Sequence, residues 1–147
     1  MLRTPGPKLD DLFRSSPSGR IPVGDSEGTL IFAPGSALAV PVSRLVRMTA
    51  WKGKIFDPKT ATLRNKVGPL GTLAVTGNVY VGPSWLDASP AIILDYSHTT
   101  SMARWIRDEI REVAPGVFLG LVYLGRFRIL RFVLDCHEEL SDENTAQ

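Results

Sequence analysis

The chain has 147 residues, the size of one domain, with 44% apolar and 22% charged residues, an ordinary balance for a globular protein. Seventeen Lys and Arg against fifteen Asp and Glu leave a net charge of +2, too small an excess for a nucleic-acid-binding footprint. A single cysteine, Cys136, excludes an intrachain disulfide, and no stretch approaches the roughly 18 apolar residues of a membrane span.

Residues 1–26 hold Pro5, Pro7, Pro17 and Pro22 among polar residues and read as a loosely ordered arm without the apolar core of a signal peptide. Leu12 and Phe13 are the one pair in it able to dock as a short helix. A cytoplasmic location is the expectation that follows. The domain proper is expected over 27–140, and the polar residues 141–147 read as a frayed tail.

Glu27 to Phe32 reads as the first strand, closed by the Pro34-Gly35 turn. Leu38, Val42, Leu45, Val46 and Thr49 recur at helical spacing, so a helix is expected to start near Ala39 and end at Ala50, with Pro41 in its first turn. Short strands are expected at 54–56 and 62–67. Thr72 to Val81 reads as one strand bent at Gly77-Asn78 or as a pair. Ala91 to Tyr96 is almost wholly apolar, as in a central strand. From Thr99 to Val113 a second helix is expected, capped by Thr100 or Ser101. Met102, Ile106, Ile110 and Val113 form its dry side, and Arg104, Arg107, Asp108, Arg111 and Glu112 its wet side. Residues 117–124 and 127–135 read as a hairpin turning at Gly125-Arg126. The sum is an α+β chain: a mostly antiparallel curled sheet or small β-barrel with two helices.

Candidate chemistry is sparse. Asp95, Tyr96, Ser97 and His98 leave the apolar strand together. Asp95 and His98 could pair as acid and base, though turn-forming roles are the ordinary reading. Arg107-Asp108-Glu109 reads as a salt-bridged helix face, with Glu109 at the border of the buried stripe. Arg131 is the lone cation on one strand face among Phe127, Ile129 and Val133. Facing into a barrel, it would anchor an anionic head group with Tyr123 beside it; the ordinary reading pairs it with Glu109 or Asp95. Trp51, with Lys52 and Lys54, could meet an anion, and Trp85 could lid a pocket. His98 and His137 are the only histidines, with no metal-ligand spacing, so no metal and no cofactor are expected.

The segments WKGKIFD (51–57), LRNKVGPLG (63–71), GPSWLD (82–87), ILDYSHTTSMARWIRDEIREVAPGVFLGLVYLG (93–125) and ILRFVL (129–134) resemble a family of bacterial proteins of unknown function. WxGKxF and the closing strands are more loosely similar to small lipocalin-like barrel domains. That likeness implies a barrel with a ligand cavity, although the lipocalin Gly-x-Trp opening is absent. The expectation is therefore a domain that binds a small apolar or amphipathic ligand, such as a fatty-acid-like anion. Arg131, Tyr123, Tyr96, Trp51, Asp95, His98 and Arg107 are the candidate contacts. A small enzyme using the same cavity, or a structural or dimerising module, are the competing readings.

Overall fold

The computed structural model describes residues 4–31, 51–67, 76–99 and 102–136. The helix expected over 39–50, the first part of the strand expected over 72–81, the cap at Thr100 or Ser101, His137 and the tail from 141 lie outside the described residues.

Nine strands form one antiparallel sheet that curls into a nearly closed barrel. They are β1 (Gly24–Asp25), β2 (Glu27–Ile31), β3 (Trp51–Asp57), β4 (Thr62–Val67), β5 (Thr76–Pro83), β6 (Pro90–Asp95), β7 (Ile106–Ala114), β8 (Val117–Leu124) and β9 (Phe127–Asp135). Their order is β1-β3-β4-β5-β6-β7-β8-β9-β2. Closure comes from one bent segment: β1 pairs with β3, and β2, one residue further on, pairs with β9. The bend is at Ser26. Its N–H and Oγ donate to the Lys54 carbonyl at 2.9 and 2.7 Å, and Lys54 N–H donates back to Oγ at 3.2 Å. Opposite it, β3 carries a bulge between Trp51 and Gly53. Gly53 has φ +142°, and a Cβ there would collide with the Ser26 carbonyl, so the closure requires glycine at that point.

One face of the curled sheet gathers Phe56, Leu63, Val79, Ile92, Leu94, Ile110, Phe118, Phe132 and Leu134 into the barrel interior. The strands' other face carries Ala91, Ile93, Leu119, Leu121 and Tyr123, and a helix covers it. That helix, α1 (Gly6–Ser15), starts with proline in its first turn and buries Leu9 and Phe13. The N-terminal segment expected to be loose thus carries the one α-helix of the described residues, and the molecule is mostly β rather than α+β.

The second expected helix is not one. A 3-10 turn occupies Met102–Trp105, and Ile106 to Ala114 is strand β7, central in the sheet between β6 and β8. A spacing of four puts Ile106 and Ile110 on one face of a strand as well as of a helix. Two residues of the supposed wet side are dry, Asp108 at 3% and Arg111 at 1% exposed, and Glu109, expected at the border of the stripe, is 0% exposed; Arg104 alone of the set is exposed. Odd-numbered Arg107, Glu109 and Arg111 leave the barrel wall outward, where the loop 84–89 and α1 lie over them. Glu109 accepts from Ser84 Oγ at 2.6 Å and Trp85 N–H at 2.9 Å. Arg111 grips both Asp87 oxygens at 2.7 Å and donates to the carbonyls of Phe13, Ser89 and Pro90. Tertiary partners for buried charges override the local helical pattern here.

Candidate functional site

Two polar constellations stand out, one inside the barrel and one on its outer wall. The inner one is centred on Lys54, which β3 directs inward beside Asn65 of β4, its register partner. Lys54 Nζ donates to Asn65 Oδ1 at 2.7 Å, Tyr96 Oη at 2.8 Å and Asp108 Oδ2 at 2.9 Å. Trp51 Nε1 donates to Asn65 Oδ1 at 3.1 Å, and Asn65 Nδ2 to Tyr96 Oη at 2.9 Å. The rings of Trp51, Tyr96 and Phe132 lie 5.3 to 5.4 Å from the ammonium, a favourable cation–π distance. Burial, the largest single influence, pulls the Lys54 pKa down, but Asp108 and Tyr96 together outweigh it and the net shift is upward. Burial, reinforced by Asp108, pushes Tyr96 up to about 12 against the pull of Lys54 and Asn65. The cluster is therefore an ammonium–carboxylate pair with a neutral phenol. All three ammonium hydrogens are used, so Lys54 has none left for a ligand. Among the described residues, Asp108 Oδ1 is the one buried side-chain polar atom without a hydrogen-bond partner.

The outer constellation is an open groove of ≈ 360 Å³ between the loop after β5 and the 3-10 turn before β7. Trp85 and Trp105 line it, together with Arg104, Arg107, Arg126 and Asp95. Guanidinium groups stack on Trp85 from Arg107 at 4.2 Å and Arg126 at 4.4 Å, and Arg104 lies 5.2 Å from Trp105. Arg107 is half committed, donating from Nε and Nη2 to Glu109 at 3.1 Å and from Nη2 to the Pro83 carbonyl at 2.9 Å. Arg104 and Arg126 are exposed and have no carboxylate partner among the described residues. The single acid, Asp95, accepts from Ser97 N–H at 2.8 Å and Tyr80 Oη at 3.2 Å. Burial would raise its pKa, but these hydrogen bonds, helped by His98, hold it below the ordinary value. The groove thus carries an excess of positive charge over stacked aromatic rings.

The seven residues singled out from the sequence are not brought together. Tyr96 and Trp51 belong to the inner cluster, and Asp95 and Arg107 to the groove. His98 is exposed in a turn and does not line the groove. Tyr123 points outward, edge-on to Trp85 at 5.1 Å. Arg131 also points outward, not into the barrel. It contacts Asp10 of α1 at 2.9 to 3.0 Å, and Arg128 reaches the other Asp10 oxygen at 2.6 Å. Its partner is neither Glu109 nor Asp95, because Arg131 lies on the face of β9 that the helix covers. Sequence reasoning placed Lys54 and Asp108 in no common site. The one available signal was an acid at an even position of an apolar-flanked segment, which a strand would turn inward toward a buried lysine.

The class that this architecture defines is the nearly closed antiparallel β-barrel. No protein-family model and no curated protein matches the chain. Its fold is similar to that of a protein from Thermomonospora curvata known from a crystal structure. The TM-score is 0.57, with 20% identity over 90% of this chain and 87% of that one. At that identity the likeness is one of fold alone. The resemblance seen in the sequence accordingly reaches as far as a β-barrel shared with a bacterial protein.

Proposed function

We propose that this barrel is a binding domain for a small amphipathic anion, held in the outer groove between Trp85 and Trp105. The observation that carries the reading is the pair of exposed guanidinium groups, Arg104 and Arg126, placed over tryptophan rings and ion-paired to no carboxylate among the described residues. A groove of ≈ 360 Å³ suits a small molecule with an apolar body and one charged end. The barrel interior has less to support it as the site. Large side chains fill its described positions, and the Lys54 ammonium is saturated. Acid–base catalysis in the groove also has less support, because Asp95 is held below the usual carboxylate range and His98 does not line the groove.

Isothermal titration with decanoate, below the concentration at which it aggregates, tests the proposal. Decanoate should bind and decanol should not. Arg104→Gln and Arg126→Gln should each weaken binding roughly tenfold to a hundredfold, the scale of a lost charged hydrogen bond. Equal binding of the neutral alcohol, or unchanged affinity in both variants, would rule the groove out.

A further inference from the structure

Beside the groove, the turn joining β8 to β9 projects an apolar tip. Leu124 and Phe127 face each other across Gly125 and Arg126, and Phe127 is 79% exposed. Trp105, 56% exposed, is tied to the same turn by the Gly125 N–H, which donates to its carbonyl at 2.8 Å. Leu124, paired with Ile106 behind it, is 37% exposed. Three large apolar side chains therefore share one edge of the barrel, and Arg104 and Arg126 flank them. Exposed apolar side chains gathered on one edge and rimmed by charge mark an interaction surface.

We infer that this tip docks on an anionic lipid surface, with Phe127, Leu124 and Trp105 entering the interface and Arg104 and Arg126 meeting the head groups. Two observations select this occupant. The first is charge: both flanking groups are cations without a carboxylate partner among the described residues, which suits a negative surface. The second is size and shape. A stable protein partner covers about 800 Å² on each side, and three side chains at a hairpin tip and the neighbouring 3-10 turn fall well short of that. A projecting tip with tryptophan and phenylalanine is, by contrast, sufficient to enter the boundary between head groups and acyl chains, where aromatic rings and arginine stems are favoured. Phe127 and Leu124 carry the inference, and neither lines the groove.

Sedimentation with vesicles is the test, using the full chain. The protein should partition onto vesicles containing one-quarter phosphatidylglycerol in phosphatidylcholine, and much less onto phosphatidylcholine alone, with the preference fading as salt rises. Phe127→Ser should lower partitioning at least tenfold, the scale of one buried aromatic side chain, and should leave decanoate binding unchanged. Brominated acyl chains should quench tryptophan fluorescence in the parent and less in Trp105→Phe. Partitioning that ignores lipid charge, or survives Phe127→Ser undiminished, would overturn the inference. If decanoate fails to bind while partitioning still depends on Phe127, the groove reading falls and the docking surface stands.

Discussion

Lys54 shows what a buried charge needs in order to be kept. Its three hydrogens meet three acceptors and its flanks meet three rings, and Asp108 supplies the opposite charge at 2.9 Å. Removing one member leaves the other charged and dry, so Lys54→Met should cost about 3–5 kcal/mol in urea denaturation. Lys54→Met combined with Asp108→Leu should cost clearly less than Lys54→Met alone, because no charge is then left unpaired. The same cluster sets a pH dependence. The folded-state pKa of Lys54 lies above 10.5, and that of Tyr96 is about 12 against an unfolded 10.0. A raised folded-state value stabilises below the unfolded pKa and ceases to do so as pH climbs through the folded one. Stability should therefore fall between about pH 10 and pH 12, and Tyr96→Phe should flatten that fall when melts are compared across the range. Arg131 was legible as an anomaly, a lone cation on an apolar face. Its partner was not, because Asp10 sits in a proline-rich stretch whose Leu9, Leu12 and Phe13 were too few to read as a docked helix with certainty of place.

At the level of elements, the hairpin of β8 and β9 could be read directly, because apolar runs bounded by glycine-containing turns leave few choices. Strand β7 could not. Ile106 and Ile110 fit either period, and its charged residues suggest a solvated face until the loop 84–89 and α1 are seen to cover them. The expected helix stability pattern gives way to one set by the barrel. Ile110, wholly buried, should cost about 2–5 kcal/mol on truncation to alanine. Arg104→Ala, at an exposed position of the 3-10 turn, should stay within about 0.5 kcal/mol. Thermal or chemical melts that give the two variants equal losses would contradict the strand's placement. Arg111 explains why the outer layer holds together: one guanidinium, 1% exposed, joins β7 to the loop through Asp87 and to α1 through the Phe13 carbonyl. It also lies over the Phe13 ring at 4.4 Å.

For the whole molecule, the alternation of apolar strands and short turns was enough to indicate a curled antiparallel sheet, but not which face closes inward. That choice decides where ligands can go. A one-residue change of face moves Arg131 and Tyr123 from an imagined cavity to the layer beneath α1, and turns Lys54 and Asp108 inward. The candidate site then arises from segments distant in sequence: Trp85 in a loop, Trp105 before β7 and Arg126 in a hairpin turn. No local motif announces it. The chain's three tryptophans report on both regions, since Trp51 lies with Lys54 inside while Trp85 and Trp105 line the groove. Indole N–H resonances followed by NMR during a decanoate titration therefore test the central claim most directly. The signals of Trp85 and Trp105 should move while that of Trp51 stays in place. A shift of Trp51 with the other two unmoved would put the ligand in the barrel interior and contradict the account.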